Sequence, residues 1–198
     1  MKRDSKQRGV TSIEFVLVAT FFYVPMIVGT LTTGFSLVRA MQAAEITRDV
    51  GHMFGKGVDF SIQSNQNIVV NQIGAPLGLS GNGGNVTGGT SGSGVIVLSL
   101  VTEIGTAQCT SCANLNHMVV SRRIVIGNKS LYSSPYGGAM TIDSSTGDVQ
   151  NYMTDPSARA DNFSHLLSLN AGEMAFLAES YFVPSIGTGP NAYNYVIF

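Results

Sequence analysis

The sequence predicts an α+β protein: a long N-terminal transmembrane helix followed by a small antiparallel β-sheet domain with one or two short helices. Three observations carry this reading. Between Val10 and Val38 the only charged side chain is Glu14. Beyond Arg39 apolar residues recur near helical spacing as far as Phe54, and from Val95 onward the period changes to two.

The first nine residues form a basic leader, in which Lys2, Arg3, Lys6 and Arg8 are offset only by Asp4 and which ends at Gly9. From Val10 to Val38 a helix rising about 1.5 Å per residue is on the order of 40 Å long, against about 30 Å for a hydrocarbon core. The segment 10–38 therefore spans a lipid bilayer with length to spare. Lys and Arg are retained on the cytoplasmic side, so the expected topology is single-pass, N-in and C-out. The apolar run is roughly twice as long as that of a cleavable secretory signal, and only Val38-Arg39-Ala40 loosely fits a small-x-small site. A carboxylate at mid-bilayer costs about 2.5–3.5 kcal/mol, so Glu14 calls for a partner, although its place near the cytoplasmic interface lowers that cost. Pro25 withdraws one backbone donor from the helix, which predicts a kink or a loosened turn. Thr30 and Gly34, four apart, fit a close helix contact and fit chance spacing in a small-residue-rich segment equally well.

Past the membrane the helix is expected to reach about residue 54. Met41, Ala44, Ile46, Val50, Met53 and Phe54 supply its apolar residues, and Arg39, Gln42, Glu45, Arg48 and Asp49 its polar face. Gly55-Lys56-Gly57 stops it. Residues 55–198 then form an exported globular domain. A short helix is expected over about 61–73, ended by Gly74 and Pro76. Residues 78–94 are mostly Gly, Ser, Thr and Asn and predict a flexible loop; the spacing around Gly81 and Gly83 lacks the flanking strand and helix of a phosphate cradle. Strands are expected over 95–104 and 118–126, with Gly127-Asn128 as a turn signal before Lys129–Tyr132. Thr141–Asp143 forms a short segment before a turn at Ser144–Gly147. Asp155 caps, and Pro156 opens, a short helix through Leu167. Two strands close the chain, 173–182 and 193–198. In the first, Met174, Phe176, Ala178 and Phe182 alternate with Glu173, Leu177, Glu179 and Tyr181.

Charged residues make up 12% of the chain and Trp is absent, which suits an exported domain on an anchor better than a cytosolic enzyme. Removing residues 1–9 takes away four of 11 basic and one of 12 acidic residues, leaving a side-chain balance of −4. No basic stripe remains, so nucleic acid is not an expected partner. Cys109-Thr-Ser-Cys112 lies between the first two strands, where an oxidising compartment favours a local disulfide. A thioredoxin-type centre would place the pair at a helix N-terminus. Zinc would need two further ligands; His117 is near, while His52 and His165 are remote. No metal and no cofactor are expected. Nor is there a catalytic constellation: Asp143 with Asp148, and Glu173 with Glu179, read as solvated acids, and Glu103 as a partner for Arg122 or Arg123, which face opposite ways on their strand. The chain is not expected to be an enzyme.

Gly9, followed by Val10-Thr11-Ser12-Ile13-Glu14-Phe15 and a long apolar helix, resembles the class III signal of type IV prepilins and pseudopilins. Within that superfamily, Arg8–Val18 and Ala171–Phe182 are similar to segments of the TadE-like minor pseudopilins of tight adherence (Tad/Flp) systems. Specific likeness covers roughly the first quarter of the chain and that later strand. Val10 stands where classical pilins carry Phe or Met, which leaves N-methylation open, and the cysteines lie mid-chain rather than around a C-terminal loop.

The resemblance implies a structural minor pilin, cut between Gly9 and Val10 by a membrane prepilin peptidase and assembled through Glu14 and Phe15. Glu14 would neutralise the Val10 α-ammonium of a neighbouring helix, both charges being tolerable in a low-dielectric bundle only as a pair. The implied partners are the peptidase, other pilins or pseudopilins, inner-membrane platform proteins and the bilayer. The implied location is the bacterial inner membrane, with the C-terminal domain periplasmic or carried into a surface pilus. A pseudopilin of a type II-like secretion system is the nearest alternative. From another class, a membrane-anchored periplasmic thiol oxidoreductase using Cys109 and Cys112 fits the pair of thiols.

Overall fold

The computed structural model describes residues 7–184 and 191–198. The chain divides into two compact units, Met1–Arg39 and Ala40–Phe198. The expected leader falls mostly on residues 1–6, outside the described residues.

In the first unit α1 (Gln7–Val18) passes through a π-helical turn (Ala19–Tyr23) into α2 (Val24–Gly55). The continuous helix is long and apolar enough to cross a membrane. Glycine ends it, as expected: Gly57 has φ +85°, its N–H donates to the Phe54 carbonyl (2.9 Å), and the Val58 N–H reaches back to Met53 (3.0 Å). Those two bonds make a Schellman cap and satisfy carbonyls that the helix end leaves free.

In the second unit the buried stripe of α2 is Ala43, Ile46, Thr47, Val50, Gly51 and Phe54. This corrects the expected face, because Met41 and Ala44 point to solvent. Small residues occupy the stripe because the helix lies close on the sheet. A Cβ on Gly51 would stand 2.8 Å from Val196 and Phe198 and 2.9 Å from Ala178. Beside it, the Thr47 hydroxyl donates to the Ala43 carbonyl at 2.6 Å and lies 2.5 Å from the Ser180 hydroxyl, so two buried polar groups satisfy each other.

The sheet has five strands in the order β1-β3-β2-β4-β5: β1 (Thr87–Gly89), β2 (Gly94–Glu103), β3 (Met118–Asn128), β4 (Met174–Phe182) and β5 (Ala192–Ile197). It is mixed, not purely antiparallel as the sequence suggested. β1 runs parallel to β3, with Thr87 beside Val125 and Gly89 beside Asn128. The missed strand lies inside the segment expected to be a loop, where Leu79 and Val86 are buried. Two glycines in three residues carry no alternation, so periodicity gave no sign of it. The chain turns back at Gly92, φ +93°, and β2 returns along the other side of β3. A bulge at Ser121 breaks the β2–β3 register between Leu100 and Val101; the extra residue is held by its hydroxyl donating to the Leu100 carbonyl at 3.2 Å.

One core cluster joins α2 to Ile96, Leu98, Ile124, Ile126, Ala178 and Phe182. A second gathers Val101, Ile104, Val120, Phe163, Ala175 and Leu177 with residues from the connections. The short helix after α2 is irregular: α3 (Gln63–Ile68), a π turn (Val69–Gly74) and a 3-10 turn (Ala75–Leu77). The turn expected at Gly127-Asn128 comes slightly later: both residues still belong to β3, and the Leu131 N–H donates to the Asn128 carbonyl at 3.1 Å just beyond it. The helix expected from Pro156 to Leu167 is instead two 3-10 turns, Pro156–Ala158 and Asp161–His165. Asp155 does cap the first, accepting from the Ser157 N–H at 2.8 Å.

Candidate functional site

Gly9 and Val10 lie on the α1 backbone. Glu14 is exposed, and Phe15 is 68% exposed. From Ile13 to Val38 large apolar side chains face outward all round the helix, including Phe21, Phe22, Ile27, Leu31 and Phe35. A water-facing helix carries one apolar stripe; a helix apolar on every side is built for lipid or for other helices. The Thr30 and Thr33 hydroxyls donate to the Ile27 and Gly29 carbonyls at 2.9 and 2.8 Å, so neither needs water. Gly29 and Gly34 have open space where a Cβ would stand.

The π turn ends at Tyr23, two residues before Pro25. Proline lacks a backbone donor and its ring crowds the carbonyl four residues back, here that of Phe21. Phe21 lies within the widened turn, where the Val24 N–H reaches five residues back to Ala19. One extra residue is absorbed where an α-turn could not close.

Cys109 and Cys112 form a close pair with Cα atoms 5.9 Å apart, packed against the second core cluster. They sit in a turn-rich connection from β2 to β3, not at a helix N-terminus. His117 faces away from metal chemistry, its Nδ1 lying 3.0 Å from the Asp161 carboxylate. Among the described residues no group of three or more His, Cys, Asp or Glu side chains is placed to hold a metal ion.

A constellation that sequence reasoning missed lies on the sheet face away from α2. Glu179, expected to be solvated, is completely buried. Its Oε1 accepts from the Tyr132 hydroxyl at 2.6 Å and the Tyr193 hydroxyl at 3.1 Å, while Oε2 has no hydrogen-bond partner among the described residues. Arg123 is buried on the same face, its Nε donating to the Ser99 hydroxyl (3.1 Å) and its Nη2 to the Tyr136 carbonyl. Burial pulls the Arg123 guanidinium down to about 10, and the Glu179 charge opposes that shift. Burial together with the Glu179 carboxylate drives the Tyr132 phenol far up, and burial foremost pushes Tyr193 up to about 12. Tyr132 stacks on Tyr181 and tilts against Tyr193, which leads on to Tyr195. Tyr193 and Tyr195 remain 42% and 50% exposed while Glu179 beneath is completely buried, so the rings cover the carboxylate from solvent. The usable signal was Glu179 inside an otherwise apolar strand, with tyrosines two apart at 193 and 195.

The remaining acids and arginines find other partners than expected. Arg122 pairs with Asp59 at 3.2 Å and Asp148 at 3.5 Å, not with Glu103. Asp143 accepts from the Ser145 hydroxyl and N–H, and Glu173 from the Asn170 N–H, bonds that hold both carboxyls below their ordinary range. They are turn-forming acids. Comparison with protein-family models, curated proteins and solved structures yields no match.

Proposed function

We propose that this chain is a prepilin-like membrane protein: a minor pilin of a Tad-type pilus or a related secretion machine, trimmed between Gly9 and Val10 and assembled through its N-terminal helix. The observation that supports this most is a helix apolar on all sides, with one carboxylate, Glu14, near its start, followed by a separately packed domain. Cleavage creates an α-ammonium on Val10, mostly charged at neutral pH from a reference pKa near 8. Glu14 on an adjacent helix neutralises it and sets the axial register between subunits. Phe15 adds apolar contact beside it, and the N-terminus stays cytoplasmic before cleavage.

Cys109 and Cys112 serve this role as a structural disulfide formed after export. Their turn context lacks the helix N-terminus that stabilises a reactive thiolate, which argues against the oxidoreductase reading.

The decisive measurement is the intact mass of membrane-extracted protein, with and without a co-expressed prepilin peptidase. Loss of residues 1–9 is expected. A mature start at Met41, or an uncut chain beside an active peptidase, refutes the proposal. Glu14→Gln is expected to leave insertion and cleavage intact while lowering recovery of the protein with its pilin partners in sheared surface fractions; wild-type recovery would remove the charge pair from the account.

A further inference from the structure

We infer that joining Cys109 to Cys112 latches a second loop some forty residues downstream, so that one end of the domain opens less readily once the pair is oxidised. The inference rests on the disulfide reading above and concerns what that bond controls.

The connecting element is Asn114, two residues past Cys112 and completely buried. Its backbone N–H and both ends of its side-chain amide engage the segment 152–159, while its carbonyl accepts from the His117 N–H at 3.1 Å within its own loop. Its N–H donates to the Met153 carbonyl at 3.1 Å, and its Nδ2 to the carbonyls of Tyr152 and Asp155, each at 2.7 Å. Its Oδ1 accepts from Arg159 Nε at 2.8 Å, and Arg159 Nη2 continues to the Ala113 carbonyl at 2.6 Å. Tyr152 and Met153 pack on the same core cluster as the two cysteines. Each loop has other anchors, the Asn116 N–H donating to Ile104 at 2.8 Å, Arg159 bridging Val119 at the start of β3 and the Gly138 N–H donating to Ser157 at 2.6 Å, so Asn114 bears most directly on 152–155. The segment 152–159 has only short local turns of its own, such as Thr154 and Asp155 donating to Asn151. Fixing Cys109 to Cys112 limits where Ala113 and Asn114 can go and so presents them to their partners.

The chemistry balances as thiol–disulfide exchange. The two cysteine thiols lose two electrons and two protons, and a disulfide oxidant of the export compartment takes them up to become a dithiol. Before export, where thiols are kept reduced, the latch is open.

Hydrogen exchange on the full chain in detergent micelles tests this, comparing oxidised protein with protein reduced by dithiothreitol. Closing a four-residue loop changes an opening equilibrium by roughly twentyfold in the chain-entropy treatment. Exchange is therefore expected to rise by up to roughly twentyfold at Asn114 and across 151–159. The β2 and β4 amides are expected to stay protected. A Cys109→Ser, Cys112→Ser double variant should match the reduced protein. Asn114→Ala should open 151–159 even when oxidised; if it does not fold, Arg159→Gln, which deletes bonds to Asn114 and Ala113, gives the same readout. Unchanged exchange over 151–159 on reduction overturns the latch, as does loss of protection throughout the sheet. Peptide mapping without reductant separates the two failures: unjoined cysteines in exported protein defeat the disulfide reading itself, whereas joined cysteines without coupling defeat only the latch.

Discussion

Replacing Glu179 by Ala should be among the most damaging single changes in the sheet domain. It removes the acceptor for Tyr132 at 2.6 Å and for Tyr193 at 3.1 Å, and the negative charge that supports Arg123 in a buried site. Breaking a buried ionic arrangement by deleting one partner costs about 3–5 kcal/mol, because the other charge stays behind without compensation. For a domain of this size each kcal/mol moves the midpoint by about 2–4 °C, so thermal unfolding should fall by on the order of 10 °C. Glu179→Gln keeps shape and one acceptor while losing the charge, and should cost less, about 1.5–3 kcal/mol. The double variant Glu179→Leu, Arg123→Met should regain part of the loss, since it removes the uncompensated guanidinium while leaving the Tyr132 and Tyr193 hydroxyls without their acceptor. The assay is thermal unfolding followed by strand circular dichroism on the full chain in detergent, with the exposed Glu173→Gln as control. If Glu179→Ala shifts the midpoint no more than the control does, or if the double variant is as unstable as the single, buried charge compensation is not what Glu179 provides.

Gly51→Ala should destabilise the packing of α2 on the sheet by about 1–3 kcal/mol, because the new methyl meets Phe198, Val196 and Ala178 at under 3.0 Å; chemical denaturation at constant slope would show it, and an unchanged midpoint would mean that the helix shifts freely. Stability should also fall at high pH. Tyr193 is raised to about 12 and Tyr132 is raised as well, so their contribution is complete below the ordinary phenol value of 10.0 and is lost as pH climbs through the folded values. Arg123, depressed to about 10, acts in the opposite sense between about 10 and 12.5, which makes tyrosinate absorbance the cleaner readout. Late-titrating tyrosines should appear in the folded chain, and two of them should be missing from Tyr132→Phe, Tyr193→Phe, leaving Tyr136, which burial also raises.

By itself the sequence determined what local chemistry determines. A run with one charge between Val10 and Val38 must leave water whatever it packs against, and glycine past Gly55 ends a helix because only glycine takes the left-handed cap without strain. Alternation exposed β2, β3 and β4, and Asp155-Pro156 announced a cap, since these signals live within a few residues. Tertiary structure decided the rest. β1 exists only because β3 offers it a ladder, and the stripe that α2 buries was chosen by how closely the sheet could approach at Gly51, not by which side chains are most apolar. Glu179 and Arg123 look like surface residues in one dimension. They are buried because phenols from residues 132 and 193, far apart in the chain, arrive on the same face, and no window of sequence holds both ends of that contact.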